Sequence, residues 1–143
     1  MKYAPILFQG DFPLLVQSAA LTACFRVGLR VLSLKKIMRL LEEGEKFVPL
    51  GRRSFGLQQI ISAVLRASHI VPGGKHCLTK ALVAQTMLKR NGLESQLRIG
   101  VMRSKGDRLD AHAWVECCGR IVVGAEKDLN RYVPLLNWEG ISF

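Results

Sequence analysis

The chain has 143 residues, of which 49% are hydrophobic and 22% are charged. This length fits one domain, because domains usually hold about 100–200 residues. The apolar content is sufficient for a folded core and excludes a disordered chain. We therefore expect a soluble protein with a single domain over residues 1–143.

The formal net charge of +10 favours an acidic partner, which could be a nucleic acid, an anionic membrane surface or an acidic peptide. The aromatic residues are not interleaved with the basic ones, and no zinc-finger or RNP-like motif is present. Specific nucleic-acid binding is therefore not expected. Scattered lysines and arginines are more often a solvated surface.

The N-terminal segment carries no secretory signal, since Lys2 is the one basic residue before Asp11. The apolar stretch at 12–25 is shorter than the roughly 20 residues that a membrane span needs. Four cysteines without CxxC spacing fit a reducing compartment. These features predict a cytoplasmic protein without a transmembrane segment.

The first half of the chain is predicted to be helical. Apolar residues recur at helical spacing over 12–45, which indicates an amphipathic helix or a pair of helices, and again over 55–67. Packing of the apolar sides on the core is the main interpretation. Docking on a membrane or a partner is the alternative for residues 1–70.

The second half is predicted to combine one helix with a sheet. Proline and glycines break the chain at 72–74, and 77–90 reads as a helix buried on most sides. Three segments have the alternation of strands: 95–102, 111–117 and 120–123. We therefore predict an α+β fold, in which a central helix packs on a small antiparallel sheet over 71–143.

Cys77 and His112 are the candidate catalytic residues. Cys77 follows a glycine-rich turn at the first turn of the predicted helix, where partial positive charge favours a thiolate. His112 lies in AHAWVE at 111–116, a predicted strand that would present the imidazole as a base. The alternative for any cysteine is a small core residue, and this interpretation fits the remaining cysteines: Cys24, Cys117 and Cys118.

A third residue is needed to orient the imidazole. An Asp, Asn or Glu usually fills this role. Asp128 is the first choice and Glu126 the second, because the chain returns toward the sheet at 126–130. Glu116 shares the strand of His112 and is too close along it. The alternative is that Asp128 and Glu126 are ordinary surface acids.

Neither a metal nor a cofactor is predicted. His69, His76, Cys77 and His112 lack the spacing of a zinc site. His76 is adjacent to Cys77, and neighbouring side chains on a helix do not face each other. The glycines before Cys77 lack the spacing of a phosphate loop.

Together these segments resemble the transglutaminase-like leader peptidases of lasso-peptide biosynthesis, a family of cysteine proteases. The resemblance rests on CLTKAL at 77–82, LKRNG at 88–92, LRIGV at 97–101, AHAWVE at 111–116 and DLNRYVPL at 128–135. It implies a transglutaminase- or papain-like core, with Cys77 as nucleophile, His112 as base and then acid, and an acidic third member. Some related sequences have an Asp where this chain has Gly124.

The resemblance also implies partners. A RiPP recognition element protein would hold the leader of the precursor peptide, possible docking sites being the helices of 1–70, and a separate lasso cyclase would close the freed core peptide. No cofactor is implied. Transglutaminase-like acyl transfer or deamidation is the alternative chemistry, and a non-catalytic scaffold is the alternative without chemistry.

Overall fold

The computed structural model describes residues 12–45, 55–71 and 77–135, and these contain four α-helices followed by four strands. The helices are α1 (Phe12–Val31), α2 (Leu34–Glu45), α3 (Leu57–Ile70) and α4 (Cys77–Arg90). The strands are β1 (Ser95–Arg103), β2 (Leu109–Cys117), β3 (Arg120–Val123) and β4 (Val133–Leu135), with a 3-10 turn at Leu129–Arg131. The predicted α+β fold with a helical N-terminal part is confirmed.

The predicted pair of helices over 12–45 is confirmed as α1 and α2, and α4 has the predicted bounds. The helix predicted at 55–67 begins and ends later, as α3. Its first turn is closed by Gln59, whose side-chain oxygen accepts the N–H of Gly56 at 3.0 Å. The predicted break at 72–74 lies outside the described residues.

Helix α4 is the centre of the core. It packs against α1, α3, β1 and β2, and most of its side chains are buried, as predicted: Thr79, Ala81, Leu82, Val83, Ala84, Gln85, Met87 and Leu88. The glycine predicted just beyond the end of α4 is also confirmed. Gly92 has φ +74°, and the N–H of Leu93 donates to the carbonyl of Leu88 at 2.9 Å, which closes the helix end.

Helix α1 is longer than the apolar stretch that the sequence indicated. It has 20 residues and continues through Arg26, whose guanidinium donates to the Val71 carbonyl after α3. Its buried face packs on α3 and α4. Among the described helices, α1 alone is long and apolar enough to cross a membrane, a test that core helices and signal sequences also pass.

The strands form one antiparallel sheet in the order β3-β2-β1-β4. In its register, Gly100 of β1 lies opposite His112 of β2 on one side and opposite Pro134 of β4 on the other. Strand β4 was not predicted, because its three residues are exposed and too few to show alternation.

Strand β2 is buried on both faces near its middle. The four residues 112–115 are all buried, so the alternation of a half-buried strand is lost there. Ala113 and Val115 join the apolar cluster formed with α4. The indole of Trp114 lies over Gly100, where a Cβ would come within 2.9 Å of Trp114 Cζ3 and of Tyr132 Cβ. The absence of a side chain at Gly100 thus makes room for both rings.

Gly100→Ala is therefore expected to destabilise the fold. Alanine normally suits a strand better than glycine by about 0.5–1 kcal/mol, but overpacking costs about 1–3 kcal/mol, so the steric term should dominate. The measurement is the free energy of unfolding in urea. The matched control is Gly28→Ala in α1, where the new Cβ would lie 3.6 Å from Ile37 Cδ1, an ordinary contact. This control should be stabilising, and an equal effect of both substitutions would contradict the packing described.

Candidate active site

Cys77 is the first residue of α4, and its thiol is half-buried against the edge of the apolar core. The first N–H groups of a helix have no partner within the helix, so they are available to a negatively charged group at this end. The burial of α4 on most sides fixes the position of the thiol relative to the sheet. The turn predicted before it falls within residues 72–76, which lie outside the described residues, and so does His76.

His112 lies on β2 with 7% of its surface exposed. Both ring nitrogens face an oxygen. Nε2 is 2.7 Å from the backbone carbonyl oxygen of Gly124, and Nδ1 is 3.6 Å from Oε1 of Glu126. A buried polar ring needs such partners, because an unpaired buried nitrogen would cost free energy.

Two aromatic rings flank the imidazole. Trp114 stacks against it with ring centroids 6.3 Å apart and an interplanar angle of 18°. Tyr132 lies at 5.5 Å with its ring tilted by 44°. The indole N–H of Trp114 donates to Glu116 at 3.1 Å, and Glu116 also pairs with Arg98 at 3.5 Å. The carboxylate of Glu116 therefore contacts Trp114 and Arg98 and not His112. The imidazole lies between the rings of Trp114 and Tyr132.

The two acids proposed as the third member have different positions. Glu126 brings its carboxylate to His112 and is 49% exposed at the side chain. Asp128 begins the 3-10 turn Leu129–Arg131, and its backbone carbonyl accepts the N–H of Arg131 at 2.9 Å. Within the described residues, Asp128 makes no ion pair with His112. The orienting role of either acid stays a prediction.

Tyr132 lies beside the imidazole of His112, with the ring centroids 5.5 Å apart. Its pKa is raised, first by partial burial, then by the negative charges of Glu126 and Asp110, and further by Cys77 and Asp128. Cys77 makes no hydrogen bond to His112 in the described part of the chain.

Sequence reasoning missed Tyr132 as a site residue. It belongs to the segment 128–135 that carried part of the resemblance, but no motif or spacing assigned it a role. Its position depends on the pairing of β4 with β1, because Tyr132 immediately precedes β4 and Gly100 of β1 leaves room for it next to β2. The three residues of β4 are exposed, so no hydrophobic pattern in the sequence predicts that they pair with β1.

The other cysteines were expected in the core, and this is wrong for two of them. Cys24 and Cys118 are exposed, whereas Cys117 is buried. Burial raises the pKa of the Cys117 thiol, as does Cys118, whose sulfur is 3.7 Å away. Cys117 is thus held as a neutral thiol. Over 12–45, 55–71 and 77–135, no three His, Cys, Asp or Glu side chains are grouped to hold a metal.

Cys77 begins a helix that packs on the antiparallel sheet bearing the buried His112. A thiol and an imidazole are the two groups that covalent thiol catalysis uses. The family model described as the Transglutaminase-like superfamily matches residues 19–137. The chain belongs to this superfamily, which generally includes cysteine proteases and transglutaminases. No curated protein and no solved structure matches the chain significantly.

Tyr132 is expected to ionise at a higher pH than the roughly 10 of a free tyrosine. Ultraviolet absorbance of tyrosinate measures this directly, and Tyr132→Phe identifies the signal, since Tyr3 is the only other tyrosine in the sequence. Cys77→Ala should lower the Tyr132 pKa because it removes a negative charge. The matched control is Cys24→Ala at an exposed site on α1, and equal titration of both cysteine variants would contradict an effect of Cys77 on the pKa of Tyr132.

The raised pKa of Tyr132 also makes the stability of the fold depend on pH. The folded state keeps the Tyr132 proton to a higher pH than the unfolded state, so the free energy of unfolding should fall as pH rises from about 10 through the raised pKa. Tyr132→Phe should reduce this fall.

Proposed function

We propose that the protein is a cysteine peptidase that cleaves the leader from a ribosomally made lasso-peptide precursor. The observation that carries the proposal is that a transglutaminase-like domain has Cys77 at the start of α4 and a buried imidazole, His112, on β2, the strand against which α4 packs. The motifs at 77–82, 111–116 and 128–135 supply the resemblance to leader peptidases. Peptide cleavage is the specific activity that this combination favours.

In the proposed reaction, His112 takes the thiol proton and the Cys77 sulfur attacks the scissile carbonyl. The carbon–nitrogen bond then breaks, His112 gives its proton to the leaving amine, and the leader stays bound as a thioester. Water, deprotonated by His112, attacks the thioester and releases the leader with a new carboxylate. The core peptide leaves with a free amino terminus, which a cyclase can use.

The oxyanion formed in each attack needs hydrogen-bond donors. The backbone N–H of Cys77 is the proposed donor, because the first amides of α4 have no partner within the helix. The partial positive charge at the start of α4 acts in the same direction on the thiolate and on the oxyanion. Both charges develop at one end of a helix that the core holds in place.

Asp128 is the third member proposed from the sequence, with Glu126 as the alternative. The carboxylate of Glu126 lies 3.6 Å from His112 Nδ1 and pairs with the imidazole only when that ring is protonated. Such a carboxylate would stabilise the imidazolium that forms when the thiol loses its proton. This contact favours Glu126 for the role.

The proposed setting is a cytoplasmic pathway with three partners. The precursor peptide supplies the substrate, a RiPP recognition element protein holds its leader, and a lasso cyclase acts on the product. The proposal treats residues 1–143 as one domain, with the helices of 1–70 available for docking. The peptidase step itself requires no cofactor.

The proposal predicts that the purified protein cleaves a candidate precursor into leader and core peptides, with the recognition element present. Cys77→Ala and His112→Ala should each lower the cleavage rate by roughly 10³-fold or more. Product masses give the measurement. Cys24→Ala, which removes an exposed thiol far along the chain from the site, is the control and should keep full activity.

Other outcomes would contradict leader cleavage. A precursor that stays intact in the presence of the recognition element protein would contradict the proposal. Masses of precursor joined to an amine, or of deamidated glutamine, would indicate acyl transfer instead. Unchanged maturation with Cys77→Ala would indicate a scaffold.

A pair of isosteric substitutions separates the two acids. Glu126→Gln is expected to lower kcat by about tenfold, since it removes the charge that faces the imidazolium across a partly exposed pair. Asp128→Asn, which changes an acid without a contact to His112, should have a smaller effect. Cleavage rates at saturating substrate give the measurement. A larger loss of kcat with Asp128→Asn than with Glu126→Gln would assign the role of third catalytic member to Asp128.

A further inference from the structure

The contact of His112 with Gly124 determines which ring nitrogen carries the proton. Nε2 lies 2.7 Å from the Gly124 carbonyl oxygen. A carbonyl oxygen can only accept a hydrogen bond, so Nε2 must be the donor. We infer that the backbone carbonyl of Gly124 holds neutral His112 in its Nε2–H tautomer and leaves Nδ1 as the nitrogen that exchanges a proton with Cys77. The exchange itself rests on the proposed function, but the tautomer does not.

Gly124 is suited to this role by its backbone. It follows β3 with φ +85°, a conformation that side chains disfavour. A Cβ at this position would lie 2.6 Å from the Ala113 carbonyl oxygen and 2.9 Å from Cα of Trp114. Only a residue without a side chain can bring its carbonyl this close to β2. The close approach is what places the acceptor at the edge of the imidazole.

The surrounding groups keep the ring in the same orientation. Trp114 and Tyr132 flank the imidazole, and the ring has 7% of its surface exposed. A 180° flip of the ring about the Cβ–Cγ bond would put Cε1 in place of Nε2 and Cδ2 in place of Nδ1, and so remove the Nε2–H contact with Gly124. The ring can therefore present Nδ1 in one direction only.

Glu126 has a different role on the opposite edge. A carboxylate also accepts only, so it repels the lone pair of an unprotonated Nδ1 and attracts the N–H of a protonated one. Glu126 thus acts on the charged state of the ring, while Gly124 fixes the neutral tautomer. Gly124 is a positioning residue, and its main chain performs the orienting task that a side-chain carboxylate or amide performs in other Cys-His sites.

Nitrogen-15 NMR of the full chain tests the tautomer without any substrate. At a pH of about 8.5 an ordinary imidazole is neutral, and the two-bond correlations of its nitrogens with the ring protons distinguish Nε2–H from Nδ1–H. The sequence has three histidines, so His112→Gln identifies the signal. The expected result is an Nε2–H ring in the wild type and in Glu126→Gln. An Nδ1–H ring in the wild type would overturn the inference.

A backbone ester tests the carbonyl itself. Replacement of the amide between Gly124 and Ala125 by an ester keeps every side chain but weakens the carbonyl as an acceptor. Cys118, exposed at the turn before β3, allows a synthetic segment 118–143 to be ligated to residues 1–117. An ester between Ala125 and Glu126 is the matched control, because its carbonyl is not the one that contacts His112.

The ester at Gly124 is expected to introduce Nδ1–H tautomer and to lower kcat for precursor cleavage by about fivefold to tenfold, the effect of one weakened hydrogen bond. KM should change by less than about twofold, and the control ester should change neither quantity. An unchanged tautomer with the Gly124 ester would overturn the inference. If the wild type cleaves no precursor, the peptidase proposal fails while the NMR result still decides the tautomer.

Discussion

The burial of the His112 imidazole within the sheet is the constraint on which the rest of the site depends. A buried polar ring needs a hydrogen-bond partner. Here the Gly124 carbonyl contacts Nε2 and the Glu126 carboxylate lies beside Nδ1, and both groups come from the segment that follows β3. Two glycines make the burial possible. Gly100 leaves room for the rings of Trp114 and Tyr132, and Gly124 lets the main chain approach β2.

The thiol and the imidazole are held by elements of different kinds. Cys77 begins a helix that the core buries on most sides, so its position is set by apolar packing. His112 is set by hydrogen bonds and ring contacts within the sheet. Because α4 packs on β2, the two arrangements are coupled through the core. Tyr132 lies beside this imidazole, and partial burial followed by the negative charges of Glu126 and Asp110 raises the pKa of its phenol.

The contact at Gly124 shows that a main-chain carbonyl can lie against the imidazole where a side chain would not fit. The orienting group for an imidazole needs only an acceptor atom in the plane of the ring. A main-chain carbonyl meets this need when the backbone comes close enough, and Gly124 allows that approach. A carboxylate can then serve to stabilise the positive charge of the protonated ring. Glu126 lies beside Nδ1, where its carboxylate can do this.

The sequence by itself determined the helices, three of the strands and the candidates Cys77 and His112, because hydrophobic periodicity and helix-end signals act over a few neighbouring residues. It did not determine β4, the position of Tyr132 or which acid faces His112. These depend on strand register and on close approaches at Gly100 and Gly124, which bring together residues far apart in the chain. Only the tertiary structure decides such contacts, because no local pattern encodes which carbonyl or carboxylate will lie against a buried ring.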